Sequence, residues 1–578
     1  MGLNKVSLGS VDERLVPFDR AGLFEPAEVH FAVALHRLEP GQHWTTILAA
    51  AMAMRAPRLG FSSFALAAAS TTVDREELPD GADANVSLVW PEPLEWAGEL
   101  GRSSLVAASG AGRDDPRPLV LSEGSLYLDC FWRDEQFVLN ELARRGGMPA
   151  LDWRPQIGAG LEEAVATMAL GGEQQLAVAR MLSSSFTVVT GGPGTGKTRM
   201  LAAAIRALRS SPALPIRIRL AAPTGKAAAR LAEAIHEFGP VPGLEPPTTL
   251  HRLLGMGPRF RAPQEVDADV VIVDECSMVG LSLMAELLAS LADDTRLVLV
   301  GDPHQLPSVD AGMVLADVVQ MAEDPQHPLA GSAVRLTNNY RFDEAPAIAA
   351  LAAAVLSGDG DAAVAAIDGA SVRLVSNAAD VRDLVTNAAV ATLRCAQDGD
   401  EPGALASLTE LRVLCAHRRG PFGVVQWNKR VEEWLRGAVP GLMTDGWYAG
   451  RPVLVTKNDP MNRLNNGDLG VALGGASEGL VALDGQPKPL HSVRLSNVET
   501  VHAMTIHKAQ GSEFDHVVVV LPPADSPLAT RELIYTAVTR ARRQVILVGE
   551  AAALKAATET SVRQGRVASE GHGIWRNE

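Results

Sequence analysis

Short apolar runs alternate with helix-compatible stretches from Phe186 onward: Thr187–Val189, Ile218–Ala222, Val270–Val273 and Leu297–Val300, then Leu411–Cys415, His516–Leu521 and Val545–Val548. Strands without a polar face belong in parallel sheets covered by helices on both sides. The pattern predicts an α/β chain with two such parallel-sheet cores, over 155–335 and 336–578. The second core is interrupted. Residues 421–498 contain Trp447, Tyr448, the apolar run Pro452–Val455 and Asn465-Asn466-Gly467-Asp468, which is hairpin chemistry. They predict a small inserted β-barrel, leaving 336–420 and 499–578 as the two halves of the second core. Ahead of both cores, residues 1–150 mix an apolar helical pattern (Ile47–Met54) with turn-rich stretches at 78–81 and 109–113. A small, mostly helical N-terminal domain ending before Trp153 is expected.

A chain of 578 residues exceeds a single core, and length alone suggests roughly four domains. The 47% hydrophobic and 21% charged fractions suit a soluble globular protein. Cys130, Cys276, Cys395 and Cys415 form no C-x-x-C pair, which argues against zinc, iron–sulfur or disulfide frameworks and for reduced thiols in the cytoplasm. Met1–Leu15 lacks the apolar core of a secretory signal, and no apolar run is long enough to suggest a membrane span. The formal net charge of −16 counts against a uniformly basic nucleic-acid binder. It does not count against a motor, which needs only a local basic groove.

Chemistry concentrates where the strands end, the place where open α/β sheets bind ligands. Gly191-Gly192-Pro193-Gly194-Thr195-Gly196-Lys197-Thr198 satisfies G-x-x-x-x-G-K-[ST] between an apolar run and a helical one. Its glycines let backbone N–H groups face a polyphosphate at a helix N-terminus. Lys197 is expected at the β- and γ-phosphates and the Thr198 hydroxyl on Mg²⁺. Val271-Ile272-Val273 ends in Asp274-Glu275. A carboxylate to hold Mg²⁺ and a group to orient the attacking water are both needed for hydrolysis, and Asp274 and Glu275 suit these roles in that order. Gln305, in Gly301-Asp302-Pro303-His304-Gln305, can report on a γ-phosphate. Arg341 and Arg540, from the second core, can neutralise its charge.

With Gln174, Ala222-Pro223-Thr224-Gly225-Lys226, Tyr340-Arg341, the stretch Thr505 to Phe514, and Tyr535 to Arg542, these motifs stand in an order that resembles superfamily-1 helicases over about 155–550. Their wording is similar to the alpha-subunit family of exodeoxyribonuclease V. Leu126-Tyr127-Leu128 through Trp132 and Glu135 resembles the end of that family's N-terminal domain. The resemblance implies that the two cores are RecA-like and that the chain is an ATP- and Mg²⁺-dependent 5′→3′ DNA helicase. It would be the motor of a helicase–nuclease for double-strand break repair and recombination. Its implied partners are single-stranded and duplex DNA and the beta and gamma subunits, in a heterotrimer whose nuclease lies in a partner and whose docking surface here is the N-terminal domain. By the same resemblance, Gln174 reads the adenine edge, Tyr340 stacks on its face, and Gly511 and Glu513 meet the nucleotide, Glu513 at the ribose. Gln305, Arg341 and Arg540 contact the γ-phosphate, and Thr224, His251, Thr505 and His507 lie near the DNA strand. Cys276 stands where alanine is expected. Trp427, Trp447 and Tyr448 are candidates for base stacking, with core packing the favoured role. Two other readings are a stand-alone helicase of the same lineage, whose paired hairpin signatures are not evident here, and an ATP-binding structural subunit.

Overall fold

The computed structural model describes residues 6–73, 83, 86–110, 115–150, 152–210, 216–256, 264–307, 310–312, 314–340, 345–475 and 478–561. The expected turn at 78–81 lies outside them. The N-terminal region is helical for the most part but also holds a four-stranded sheet in the order β1-β4-β3-β2 (β1 Ser63–Ala65, β2 Val106–Ala108, β3 Leu119–Ser122, β4 Ser125–Leu128). Strands of three or four residues leave little periodicity to read. Their clearest local signal is Glu123-Gly124, where φ is +46° and +76°, as a two-residue hairpin turn requires. The helix Asp129–Gly146 docks this region on the first core. Arg145 on that helix is buried and donates to the carbonyls of Thr295 (2.9 Å), Leu291 and Ala292 (both 3.2 Å).

The first core is a six-stranded parallel sheet ordered β10-β5-β9-β8-β6-β7 (β5 Phe186–Gly191, β6 Ile218–Ala222, β7 Thr248–Thr249, β8 Val270–Val273, β9 Arg296–Gly301, β10 Ala333–Leu336). Successive side chains point to opposite faces. Val270 and Ile272 therefore pack into one apolar cluster and Val271 and Val273 into another. Both faces are dry, which is why these strands carry no polar alternation. The helix Lys197–Arg209 covers one face with Met200 to Ile205 fully buried.

The second core repeats the design. Its sheet runs β11-β20-β19-β12-β18, all parallel (β11 Val372–Val375, β12 Leu411–Cys415, β18 Ala503–Thr505, β19 Phe514–Val520, β20 Ala541–Val548). Val517 and Val519 face one cluster, Val518 and Val520 the other. Between β12 and β18 the chain forms an antiparallel sheet ordered β16-β15-β14-β13-β17 (β13 Pro452–Val455, β14 Leu469–Ala472, β15 Leu480–Leu483, β16 Leu490–His491, β17 Val498–Thr500).

The expected small β-barrel is thus an open sheet. β16 and β17 are its two edges and do not pair with each other, and no closed barrel occurs among the described residues. β16 pairs over only two residues and runs directly into the 3-10 turn Ser492–Arg494, which ends its ladder before it can reach β17. The helix Val424–Ala438 precedes this sheet and packs on the second core through Trp427 and Val431. Among the described residues no helix is long and apolar enough to cross a membrane.

Candidate functional site

The segment Gly191–Thr198 connects β5 to the helix Lys197–Arg209. Gly194 and Gly196 take φ of +82° and +77°, conformations that side-chain-bearing residues rarely adopt. The Lys197 ammonium donates to the carbonyls of Gly191 (2.6 Å) and Gly192 (3.0 Å), so one of its three donors is left for a ligand. Thr195 Oγ1 donates to Gly192 O at 2.8 Å and closes the loop on itself. Gln174 lies against the same loop: its amide donates to Thr195 O at 3.0 Å and accepts from Gly171 N at 3.0 Å. The backbone N–H of Tyr340 donates to Gly194 O, the Asn339 amide donates to Pro193 O, and the Tyr340 ring is 48% exposed. A Cβ placed on Gly171 would come within 3.0 Å of the Tyr340 hydroxyl. Gln174 and Tyr340 therefore flank one end of the loop.

Asp274 and Glu275 follow β8, one strand away from β9 and two from β5. Burial first, and then the neighbouring Glu275, raise the Asp274 carboxyl to about 7 against the opposing Lys197 ammonium. Glu275 sits at φ +52°, a strained position for a non-glycine residue and of the kind that clusters at functional sites. Its backbone N–H donates to Asp274 Oδ1 at 2.9 Å. Cys276 is buried behind the pair, with its thiol pushed up to about 12 by burial.

The second core meets this place directly. The Tyr535 hydroxyl donates to Asp302 Oδ2 at 3.0 Å, and the Gln305 amide donates to the same oxygen at 3.1 Å. Leu306 N donates to Thr536 Oγ1 and Gln510 Nε2 donates to Leu306 O, both at 2.8 Å. Arg540 is buried and donates to Thr536 O (3.1 Å) and Ser512 O (3.4 Å); its charge is felt at the Tyr535 hydroxyl. Arg341 lies outside the described residues. Glu513 is ion-paired with Arg542 at 3.2 Å, and Gly511 has φ +68°.

Thr224, His251, Thr505 and His507 gather elsewhere. Thr224 and His251 follow β6 and β7, at the edge of the first sheet farthest from β10; Thr505 and His507 lie at the end of β18, an edge of the second. Thr224 caps the helix Gly225–Glu237, His251 is exposed, and His507 is held below its ordinary pKa by burial. Two contacts tie these edges together: Lys226 Nζ donates to Ser512 Oγ at 2.9 Å, and Arg230 donates to Gly511 O. Trp427 and Tyr448 are buried, while Trp447 is half-exposed beneath the Arg451 guanidinium.

Asp302, Tyr535, Gln510 and Lys226 stand inside the sequence motifs, yet no local pattern assigns any of them a role. Their partners lie far along the chain, 233 residues apart for Asp302 and Tyr535, and no local pattern encodes that.

Three family models match the chain: the RecBCD enzyme subunit RecD N-terminal domain over 20–127, an AAA domain over 169–376, and a UvrD-like helicase C-terminal domain over 500–548. The RecBCD enzyme subunit RecD of Mycolicibacterium smegmatis is 42% identical over 93% of this chain and 96% of its own length. That of Haemophilus influenzae is 30% identical over 77% of this chain and 80% of its own. The ATP-dependent RecD2 DNA helicase of Deinococcus radiodurans is 34% identical over 80% of this chain but only 60% of its own. A Pif1 helicase from Bacteroides in complex with ADP-AlF3 and ssDNA is similar at 17% identity and a TM-score of 0.37, over 65% of this chain and 92% of that one. With relatives this close over nearly its whole length, the chain belongs to the RecD family.

Proposed function

We propose that this chain is the ATP-dependent DNA helicase motor of a RecBCD-type helicase–nuclease, stepping 5′→3′ along a single strand. The observation that carries the reading is the seam itself. The Tyr535 hydroxyl of the second core bonds Asp302 of the first beside Gly192 of the phosphate loop, and Gln305 bonds the same carboxylate oxygen, so a triphosphate on the loop lies where the two cores meet. Lys197 and the loop N–H groups bind the phosphates, Gln174 and Tyr340 hold the base, and Glu513 faces the ribose. The residues also fit magnesium: Thr198 and Asp274 offer hard oxygen ligands, and a carboxyl lifted to about 7 beside Glu275 gains from a cation. When bound, the ion neutralises charge on the phosphates. Glu275 orients and deprotonates the attacking water. Gln305 and Arg540, with Arg341, draw the cores together around the γ-phosphate, and its loss releases them. Thr224, His251, Thr505 and His507 lie along the two sheet edges that Lys226 and Arg230 join, and they support a strand crossing both cores.

This chain is more similar to the M. smegmatis subunit, at 42% identity, than to the D. radiodurans helicase, at 34%. That supports the subunit reading, with beta and gamma chains as partners and DNA cutting left to them. Unwinding of duplexes with either a 5′ or a 3′ single-stranded tail tests activity and polarity together. The expected result is ATP-dependent displacement of the 5′-tailed substrate only, with added partner subunits if the isolated chain does not load. Displacement of neither substrate by the assembled complex would reject the reading.

A further inference from the structure

Tyr535 is buried to 3% exposure and carries its hydroxyl into the nucleotide seam, a costly place for a polar group unless it is bonded. Burial and the Asp302 carboxylate hold the phenol well above its ordinary pKa, so it stays protonated and donates. Asp302 Oδ2 then accepts two hydrogen bonds, from Tyr535 and from Gln305, while Oδ1 accepts from the His304 backbone at 3.1 Å. The hydroxyl also lies on the phosphate loop: a Cβ built on Gly192 would stand 2.8 Å from it and 4.0 Å from Asp302 Oδ2. Gly192 is the residue whose carbonyl holds Lys197.

The other end of Tyr535 points the opposite way along the chain. It occupies the helix Arg531–Val538, where its carbonyl accepts from Thr539 Oγ1 at 2.8 Å and that of the next residue, Thr536, accepts from Arg540 Nε at 3.1 Å. A single side chain thus touches the loop that takes the phosphates and the carboxylate that orients Gln305. The next residue on its helix, Thr536, carries the carbonyl that accepts from Arg540.

We propose that Tyr535 is a positioning residue for ATP hydrolysis: through Asp302 it fixes Gln305 against the helix that holds Arg540 by the Thr536 carbonyl, so that both stand in a common register over the phosphate loop. The inference rests on the helicase reading above and adds a residue to it. Gly192 has no side chain because the tyrosine hydroxyl takes that space. No bond to ATP is required of Tyr535. Its effect appears when the two cores act on the γ-phosphate together, so it belongs in kcat rather than in nucleotide affinity.

The test compares wild type with Tyr535→Phe, Asp302→Ala and the double variant. It measures DNA-stimulated ATP hydrolysis, the affinity for a fluorescent ATP analogue, and thermal unfolding. Loss of one hydrogen bond to a carboxylate should lower kcat roughly 10-fold or more. KM for ATP, analogue affinity and unfolding temperature should stay near wild type. The two substitutions should be non-additive, the double variant falling little below the worse single one. Wild-type kcat in Tyr535→Phe, a rise in KM and analogue Kd with kcat unchanged, or strictly additive losses would each overturn the proposal. If Tyr535→Phe does not fold, Asp302→Ala cuts the same bond from the other core; failure of both to fold makes the contact structural and also overturns it. A wild-type chain that neither binds the analogue nor hydrolyses ATP removes the parent reading and this one with it. Activity in wild type matched by Tyr535→Phe removes this one alone.

Discussion

The second core has two seams, and they are made of different materials. Where it meets the first core the joint is polar: Tyr535 to Asp302, Thr536 and Gln510 to Leu306, Lys226 to Ser512. Among the described residues only Leu306 of the first core joins the apolar cluster of the second. Where the antiparallel insert meets the second core, the joint is oil. Leu454, Leu469, Val471, Leu473 and Ala482 share one cluster with Leu414, Val517 and Val519. Apolar burial is non-directional and costly to undo, whereas hydrogen bonds exchange with water at a small net cost. The first seam is therefore suited to opening and closing, and the second holds the insert and the core as one body. A motor needs both, one joint that works and one lever that does not bend.

The largest effect expected from breaking the working seam is Lys197→Gln. It removes the charge that faces the phosphates, and DNA-stimulated ATP turnover should fall on the order of 10³-fold or more. The unfolding transition should be unchanged, because among the described residues Lys197 hydrogen-bonds the carbonyls of its own loop. Near-normal turnover in this variant would mean the loop is not the site.

Arg540→Ala attacks the same seam from the opposite core. A turnover loss of roughly 10³-fold is expected, by comparison with arginine fingers elsewhere, with ATP-analogue affinity much less affected. Arg540 is buried and bonds two carbonyls of its own core, so Arg540→Lys is the companion variant that keeps the charge and loses the fork. Full turnover in Arg540→Lys would show that charge alone suffices.

These two residues were legible in the sequence because each sits in a local pattern with a mechanism behind it. The glycine loop, the acids closing β8 and the strands themselves are written in consecutive residues. Three features were not legible. The N-terminal sheet is built from strands too short to show a period. The insert reads as hairpins whether or not it closes, and closure depends on whether β16 and β17 meet, which their own residues do not state. The seam contacts join positions hundreds of residues apart, and nothing near Tyr535 announces Asp302. What the sequence could not supply was juxtaposition, and the working seam consists of little else.

The fixed seam can be sharpened by pH. His502 lies between β17 and β18, where the insert rejoins the second core. Its Nε2 is 2.8 Å from the Tyr448 hydroxyl, which also bonds Glu432 at 3.1 Å. Burial, then the Arg412 and Arg451 guanidinium groups, hold the His502 imidazole down to about 3 against an ordinary 6.5. Between those values the unfolded chain binds a proton that the folded chain refuses, so stability falls as pH falls from 6.5 toward 3 and is unaffected by this residue above 7. From pH 7 to pH 5 the loss should be about 2 kcal/mol from this one group, read as a drop in urea midpoint. His502→Gln, which keeps a polar side chain but cannot titrate, should flatten that part of the profile and leave ATP turnover at pH 7.5 near wild type. An equal drop in midpoint in the glutamine variant would place the acid sensitivity elsewhere. A large loss of turnover at pH 7.5 would show that the two seams are not independent and that the insert takes part in the opening and closing of the first.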